Sequence, residues 1–383
     1  MNRFLVQPRN RPVGQYAVLR RTAMLLVMGA LLVACGVAGP GLKGDEDDSG
    51  PASTSGTAAS SSGAGGNSTS STSGAGAGHE TSTATSTTTS TASSSSSTSS
   101  SSTSGNGGNG GGDPNCYTEH LDPGANISDI VSGYGGSKYK DQIIDAMGRR
   151  WKAGGYLLQQ QKNDSYFAQF SDQSSWKGTV SWLDTLVHEE THLFNAYHAQ
   201  AQNKVHALFF RQDLIVYLPS DSQSFARSQI VASLAPELQA SIYKNTYLTG
   251  TQGDRKFNAL LDEMTCYVNE IPGMAAFGEF YQGGVSLRDG SAAFLSFLQV
   301  YLRVARMQHQ AFYDAAKKTP AYVDAVRILW LRTHFFYAQV GDKHPNLGID
   351  DKKFRAEAHK QANLDEISMF IGRKVGDSNC LLD

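Results

Sequence analysis

The chain has 383 residues and a formal net charge of −2, with 33 Lys and Arg against 35 Asp and Glu. That balance, with no basic run, excludes nucleic acid as an expected partner. The single long apolar stretch lies close to the N-terminus and excludes a multi-span membrane protein.

The N-terminus has Arg3, Arg9, Arg11, Arg20 and Arg21 ahead of any acid, then an apolar run from Ala23 to Ala34. A basic flank followed by a short apolar core is the pattern of an export signal. The run ends in Leu32-Val33-Ala34-Cys35, which resembles the lipobox of bacterial lipoproteins. The resemblance implies a signal peptide over residues 1–34 and a lipid on Cys35. The domain would then sit in the bacterial cell envelope, outside the cytoplasm and anchored in a membrane. Gly36 in place of a retention-type Asp favours the outer membrane or cell surface.

Residues 35–112 are expected to be a linker. Of the 64 residues from Ser49 to Gly112, 58 are Ser, Thr, Gly or Ala, too little apolar surface to offset the entropy of folding. A flexible tether of that length spans roughly 40–50 Å. The foldable part is residues 113–383, where Lys and Arg number 27 and Asp and Glu 30.

Within it, apolar residues at helical spacing predict a helix over 138–161, with Gly154-Gly155 as its break. Trp176 to Val180 reads as a short strand, and Trp182 to Ala201 as a helix. Leu208 to Leu218 is rich in β-formers and stops at Pro219, which marks a strand or hairpin. Helices are expected over 225–243, 257–271, around 293–305 and over 321–340, with one or two short ones in the tail. The fold class is α+β, mostly α-helical. Cys116 and Cys380 stand at the two ends of this domain, a natural place for a disulfide in an oxidising compartment, which would leave Cys266 a free thiol.

One motif carries chemistry. His188-Glu189-Glu190-Thr191-His192 matches H-E-x-x-H within the expected helix 182–201. Histidines four apart project from one helix face and can share one Zn²⁺. Glu189 is then placed as general base for a zinc-activated water, with the metal polarising the substrate carbonyl.

On this motif the chain resembles the zincin metallopeptidases, more gluzincin-like than metzincin-like. The resemblance implies a zincin-like domain that hydrolyses peptide bonds. Two residues compete as third ligand. Glu263, in a later helix, fits the gluzincin arrangement. His198 fits the metzincin pattern, with Asn195 where that pattern has Gly and Pro272-Gly273-Met274 as a Met-turn candidate. If the helix continues past Asn195, His198 lies about 15 Å along the axis from His188 and cannot share its metal. Asp262 and Glu270 are neighbouring alternatives to Glu263. Tyr267, one turn after Glu263, is a candidate oxyanion donor, and His334 could play the same part. Asp184 could orient a ligand imidazole, and His206 reads as structural. The competing functional reading is a non-enzymatic surface lipoprotein, either a binding module or a degenerate zincin fold.

Overall fold

The computed structural model describes residues 113–281, 287–344 and 347–382. Residues 1–112, with the expected signal peptide, Cys35 and the expected linker, lie outside the described residues, as does Asp383. The described residues form a mostly helical domain with two small antiparallel β-hairpins. None of its helices is long and apolar enough to cross a membrane.

Helix α1 (Tyr139–Arg150) and helix α2 (Lys152–Gln160) replace the single helix expected over 138–161. The break falls at Trp151, whose backbone is extended at φ −143° and ψ 97°. Gly154 and Gly155 lie inside α2, and packing explains them. A Cβ on Gly154 would come within 2.1 Å of the Trp151 ring, and one on Gly155 within 2.5 Å of the Gly148 Cα. The glycines let α1 and α2 close on each other.

The expected strand at 176–180 is instead helix α3 (Trp176–Ser181), because the Ser175 side chain accepts from the Gly178 amide at 3.0 Å and caps it. Helix α4 (Leu183–Ala201) carries the H-E-x-x-H motif. Strands β1 (His206–Arg211) and β2 (Leu214–Leu218) form a hairpin with a register shift between Phe209 and Arg211. The helix expected over 225–243 is broken into a 3₁₀ segment (Arg227–Ser233) and two short helices (Pro236–Gln239 and Ile242–Tyr247). Pro236 forces Ala235 into an extended conformation, and the Ser241 side chain starts a new helix by capping Lys244.

Helix α5 (Phe257–Ala275) runs through Pro272, so Pro272-Gly273-Met274 is helical and forms no separate Met-turn. Helices α6 (Leu287–Gln308), α7 (Gln310–Lys317), α8 (Pro320–Val340), α9 (Asp351–Ala358) and α10 (Gln361–Ile371) complete the bundle. Helices α4 and α5 lie along each other, β1 packs on both, and α6 and α8 cover α5. Fully buried Leu186, Val187, Leu260, Leu261, Met264, Val268 and Phe294 fill this centre.

The chain ends are tied together. Cys116 and Cys380 form a disulfide with a Cα–Cα distance of 4.0 Å, and the two residues also pair as an antiparallel β-bridge. Tyr117 donates its amide to the Asn379 carbonyl at 2.8 Å, and Leu381 donates to Asn115 at 2.9 Å. The C-terminal hairpin of β3 (Lys374–Val375) and β4 (Leu381–Leu382) thus gains a third, N-terminal segment.

Candidate metal centre

The centre lies between α4 and α5. Residues 188 and 192 are one helical turn apart, so their imidazoles leave the same face of α4. On α5, residues 262, 263, 266, 267 and 270 share one side, and that side meets α4. His188 Nε2 and His192 Nε2 lie 3.2 Å apart. Glu263 Oε2 completes a triangle, at 3.6 Å from His188 Nε2 and 3.4 Å from His192 Nε2. All three side chains are buried, at 4%, 8% and 3% exposure.

The outer nitrogens are held by carboxylates. His188 Nδ1 bonds Glu270 Oε1. His192 Nδ1 bonds Asp262 Oδ2 at 2.6 Å. An ionised carboxylate only accepts, so each Nδ1 donates to it, and in the neutral imidazole each Nε2 is then a lone-pair donor. Asn195 locks the second contact: its Nδ2 donates to Asp262 Oδ1 at 2.7 Å, while its Oδ1 accepts the Phe209 amide at 2.8 Å. His206 Nε2 stands 3.5 Å from the same Asp262 oxygen. Asn195 therefore stays helical and braces the site through β1; it does not turn the chain as the metzincin position would.

Two lone pairs and a carboxylate oxygen facing one point repel unless a cation lies among them. Without a metal, protons take that place. Burial pulls the His188 pKa down, but Glu270 and Glu263 outweigh it and hold the group at about 10. His192 is also raised, against burial, by Cys266, Asp262 and Glu263. Burial pushes Asp262 and Glu263 up, but the imidazoles hold both below the ordinary carboxylate range, with His206 assisting at Asp262 and Arg227 at Glu263. Glu270 goes the other way: burial lifts it to about 7, against the pull of His188. Arg227, fully buried, puts its Nη2 3.9 Å from Glu263 Oε1.

The residues fit a metal ion. Glu263 Oε2 is buried and has no hydrogen-bond partner. A tetrahedral zinc with N and O donors at 2.0–2.2 Å needs donor–donor edges of about 3.3–3.6 Å, which the triangle matches. The Cys266 sulfur also belongs to the cluster: ligand atoms of His188, His192 and Cys266 all lie within 4.8 Å of one another. Glu263 faces both Nε2 atoms at 3.4–3.6 Å and is taken as the third donor.

Glu189 follows His188 on α4 and is 8% exposed. Tyr267 packs the edge of its ring against the His188 ring at 4.9 Å between centroids, and its hydroxyl lies 2.8 Å from that of Tyr247. Burial drives that hydroxyl's pKa well up. Gly290 gives this ring its room, since a Cβ there would come within 2.2 Å of it.

Other candidates lie elsewhere. Helix α4 continues through His198, which accepts from or donates to the Tyr217 hydroxyl at 2.7 Å and stacks between Phe194 and Tyr217. His198 is therefore no partner of His188. His334 bonds the Trp330 carbonyl and His359. Asp184 binds the amide of Thr185, and Glu270 takes the orienting place at His188 suggested for Asp184. Asp262 and Glu270, weighed as ligands, are found at the outer nitrogens. Sequence reasoning missed Arg227, and named Asn195 as a turn position where it braces Asp262. The i, i+4, i+8 spacing of Asp262, Cys266 and Glu270 was the signal for a polar stripe on α5.

Comparisons of the chain with protein-family models, curated proteins and solved structures found no match.

Proposed function

We propose that the protein is a lipid-anchored, extracytoplasmic zinc metallopeptidase. The observation that carries this reading is the buried triangle of His188 Nε2, His192 Nε2 and Glu263 Oε2, with edges of 3.2–3.6 Å, on a helix bearing H-E-x-x-H. Two imidazoles and one carboxylate are a donor set suited to zinc, and three protein ligands leave a fourth position open. Zinc there would supply Lewis acidity and a water acidic enough to ionise near neutral pH.

The remaining chemistry belongs to the chain. Glu270 and Asp262 fix the imidazole tautomers and ring orientations. Glu189, beside His188, accepts the proton of the attacking water and delivers it to the leaving amine. Tyr267, against the His188 ring, donates to the substrate carbonyl oxygen as charge builds there. The anchoring part of the proposal rests on Leu32-Val33-Ala34-Cys35 and the linker, and acylated Cys35 at the mature N-terminus is its expected signature.

A second reading is a non-enzymatic surface lipoprotein that binds metal or a partner. The deep burial of the donors favours it, since a peptide must reach them. Glu189→Gln separates the two readings. It removes a proton acceptor and no ligand, so the variant is expected to keep one metal per chain while peptide hydrolysis falls about 10²–10⁴-fold. A metal-loaded wild type that cleaves no peptide, or a Glu189→Gln variant of undiminished activity, rejects the peptidase.

A further inference from the structure

The three-donor reading leaves one group at the centre without a part. Cys266 is fully buried on α5, three residues past Glu263 and midway between Asp262 and Glu270 in the same stripe. Its sulfur and the ligand nitrogens of His188 and His192 are mutually within 4.8 Å. In a tetrahedral zinc site with N at 2.0–2.1 Å and S at 2.3 Å, the N–S edge is about 3.5–3.6 Å. A sulfur within 4.8 Å of both imidazoles, on the helix face that carries Glu263, is in reach of an ion held between them. Independently, Glu263 Oε2 has no hydrogen-bond partner, faces the same two imidazoles at 3.6 and 3.4 Å, and belongs to a residue 3% exposed.

We propose that Cys266 supplies a thiolate as the fourth donor of the resting metal centre, alongside His188, His192 and Glu263. The proposal rests on the metal reading of the site given above. Cys266 would hold the ion as a thiolate, its proton going to solvent. With the sulfur bound, the position left open by the three other donors would be filled in the resting protein. A sulfur donor also shifts the preference of the site toward thiophilic ions such as Cd²⁺.

The test uses the full-length chain loaded with Co²⁺, compared with Cys266→Ser and Cys266→Ala, with circular dichroism confirming that each is folded. The expected result is one Co²⁺ per chain in all three proteins. A thiolate-to-cobalt charge-transfer band in the near ultraviolet should appear in the wild type and be absent from both variants. The ratio of Cd²⁺ to Co²⁺ affinity should drop by about tenfold or more in Cys266→Ser, because oxygen is the harder donor. Stoichiometric Co²⁺ in the wild type without that band overturns the proposal and leaves the three-donor centre standing. Retention of Co²⁺ by Glu263→Gln with complete loss in both Cys266 variants also overturns it, because Cys266 would then be the third donor and not the fourth. A folded wild type that binds no Co²⁺ at all removes the metal reading itself, a failure distinct from either.

Discussion

Replacing the carboxylates behind the imidazoles tests whether the α4–α5 interface is built to hold a metal. Asp262 Oδ2 takes the His192 Nδ1 proton at 2.6 Å while Oδ1 takes Asn195 Nδ2 at 2.7 Å. Asp262→Asn keeps one acceptor and turns the other into a donor. The new amide then faces either the Asn195 amide or the His192 Nδ1–H, and one donor is left facing another. Glu270→Gln acts more mildly, since its amide oxygen can still accept from His188 Nδ1 and only the charge is lost. Losing an orienting partner of a ligand histidine typically lowers metal affinity 10–100-fold, or about 1.4–2.8 kcal/mol. We expect Asp262→Asn at the upper end of that range and Glu270→Gln at the lower end, with His188→Ala losing metal altogether. Competition for Zn²⁺ against a chromophoric chelator at pH 7 gives these affinities directly. If His188→Ala abolishes binding but both carboxylate variants stay within threefold of wild type, the outer contacts do not orient the ligands and the argument fails.

Two further outcomes follow from groups away from the centre. His334 donates Nδ1–H to the Trp330 carbonyl, and burial lowers its pKa to about 4. The unfolded chain therefore binds more protons between pH 6.5 and 4, and stability is full above about 6.5 and is lost as pH falls toward 4, by about 3 kcal/mol. Urea unfolding of the metal-free protein at pH 7.5 and 4.5 should show that loss reduced in His334→Gln; an equal loss in both refutes the assignment. Reducing the Cys116–Cys380 disulfide, which closes a separation of 264 residues, should destabilise the domain by up to about 5 kcal/mol in the chain-entropy model. A urea midpoint unmoved by reductant would show that the terminal β-bridge holds the ends without the bond.

Helical content was legible wherever apolar spacing ran uninterrupted, as in α4, α5, α6 and α8. It failed where local chemistry outweighed pattern. Trp176 to Val180 alternates like a strand, but the Ser175 cap commits it to a turn of helix. Gly154-Gly155 looks like a breaker, yet its missing side chains serve close packing, which depends on partners far away in space. At the site, one face of α4 was readable because four-residue spacing fixes it. The identity of Glu263 over its neighbours was not, since Asp262, Glu263 and Glu270 share one side of α5. Which of them meets an Nε2 and which an Nδ1 depends on the offset of α5 along α4, and no local pattern encodes that offset.

That offset also sets the charge of the centre. Glu263 and Glu270 bring two buried carboxyl groups and Asp262 a half-buried one, and Arg227 is the buried guanidinium beside them. With neutral imidazoles and ionised carboxylates, the set is short of two positive charges. Two protons on His188 and His192 can make good that deficit, which is the physical content of their raised pKa values. One divalent cation makes it good equally, and the Nδ1 contacts to Glu270 and Asp262 are the same in both cases. Only the Nε2 side changes, where protons repel across 3.2 Å and a single ion does not. An interface that needed only to pack α4 on α5 would have no reason to bury this deficit. Removing Glu263, the carboxylate that faces both Nε2 atoms, should therefore weaken metal binding far more than it weakens the fold.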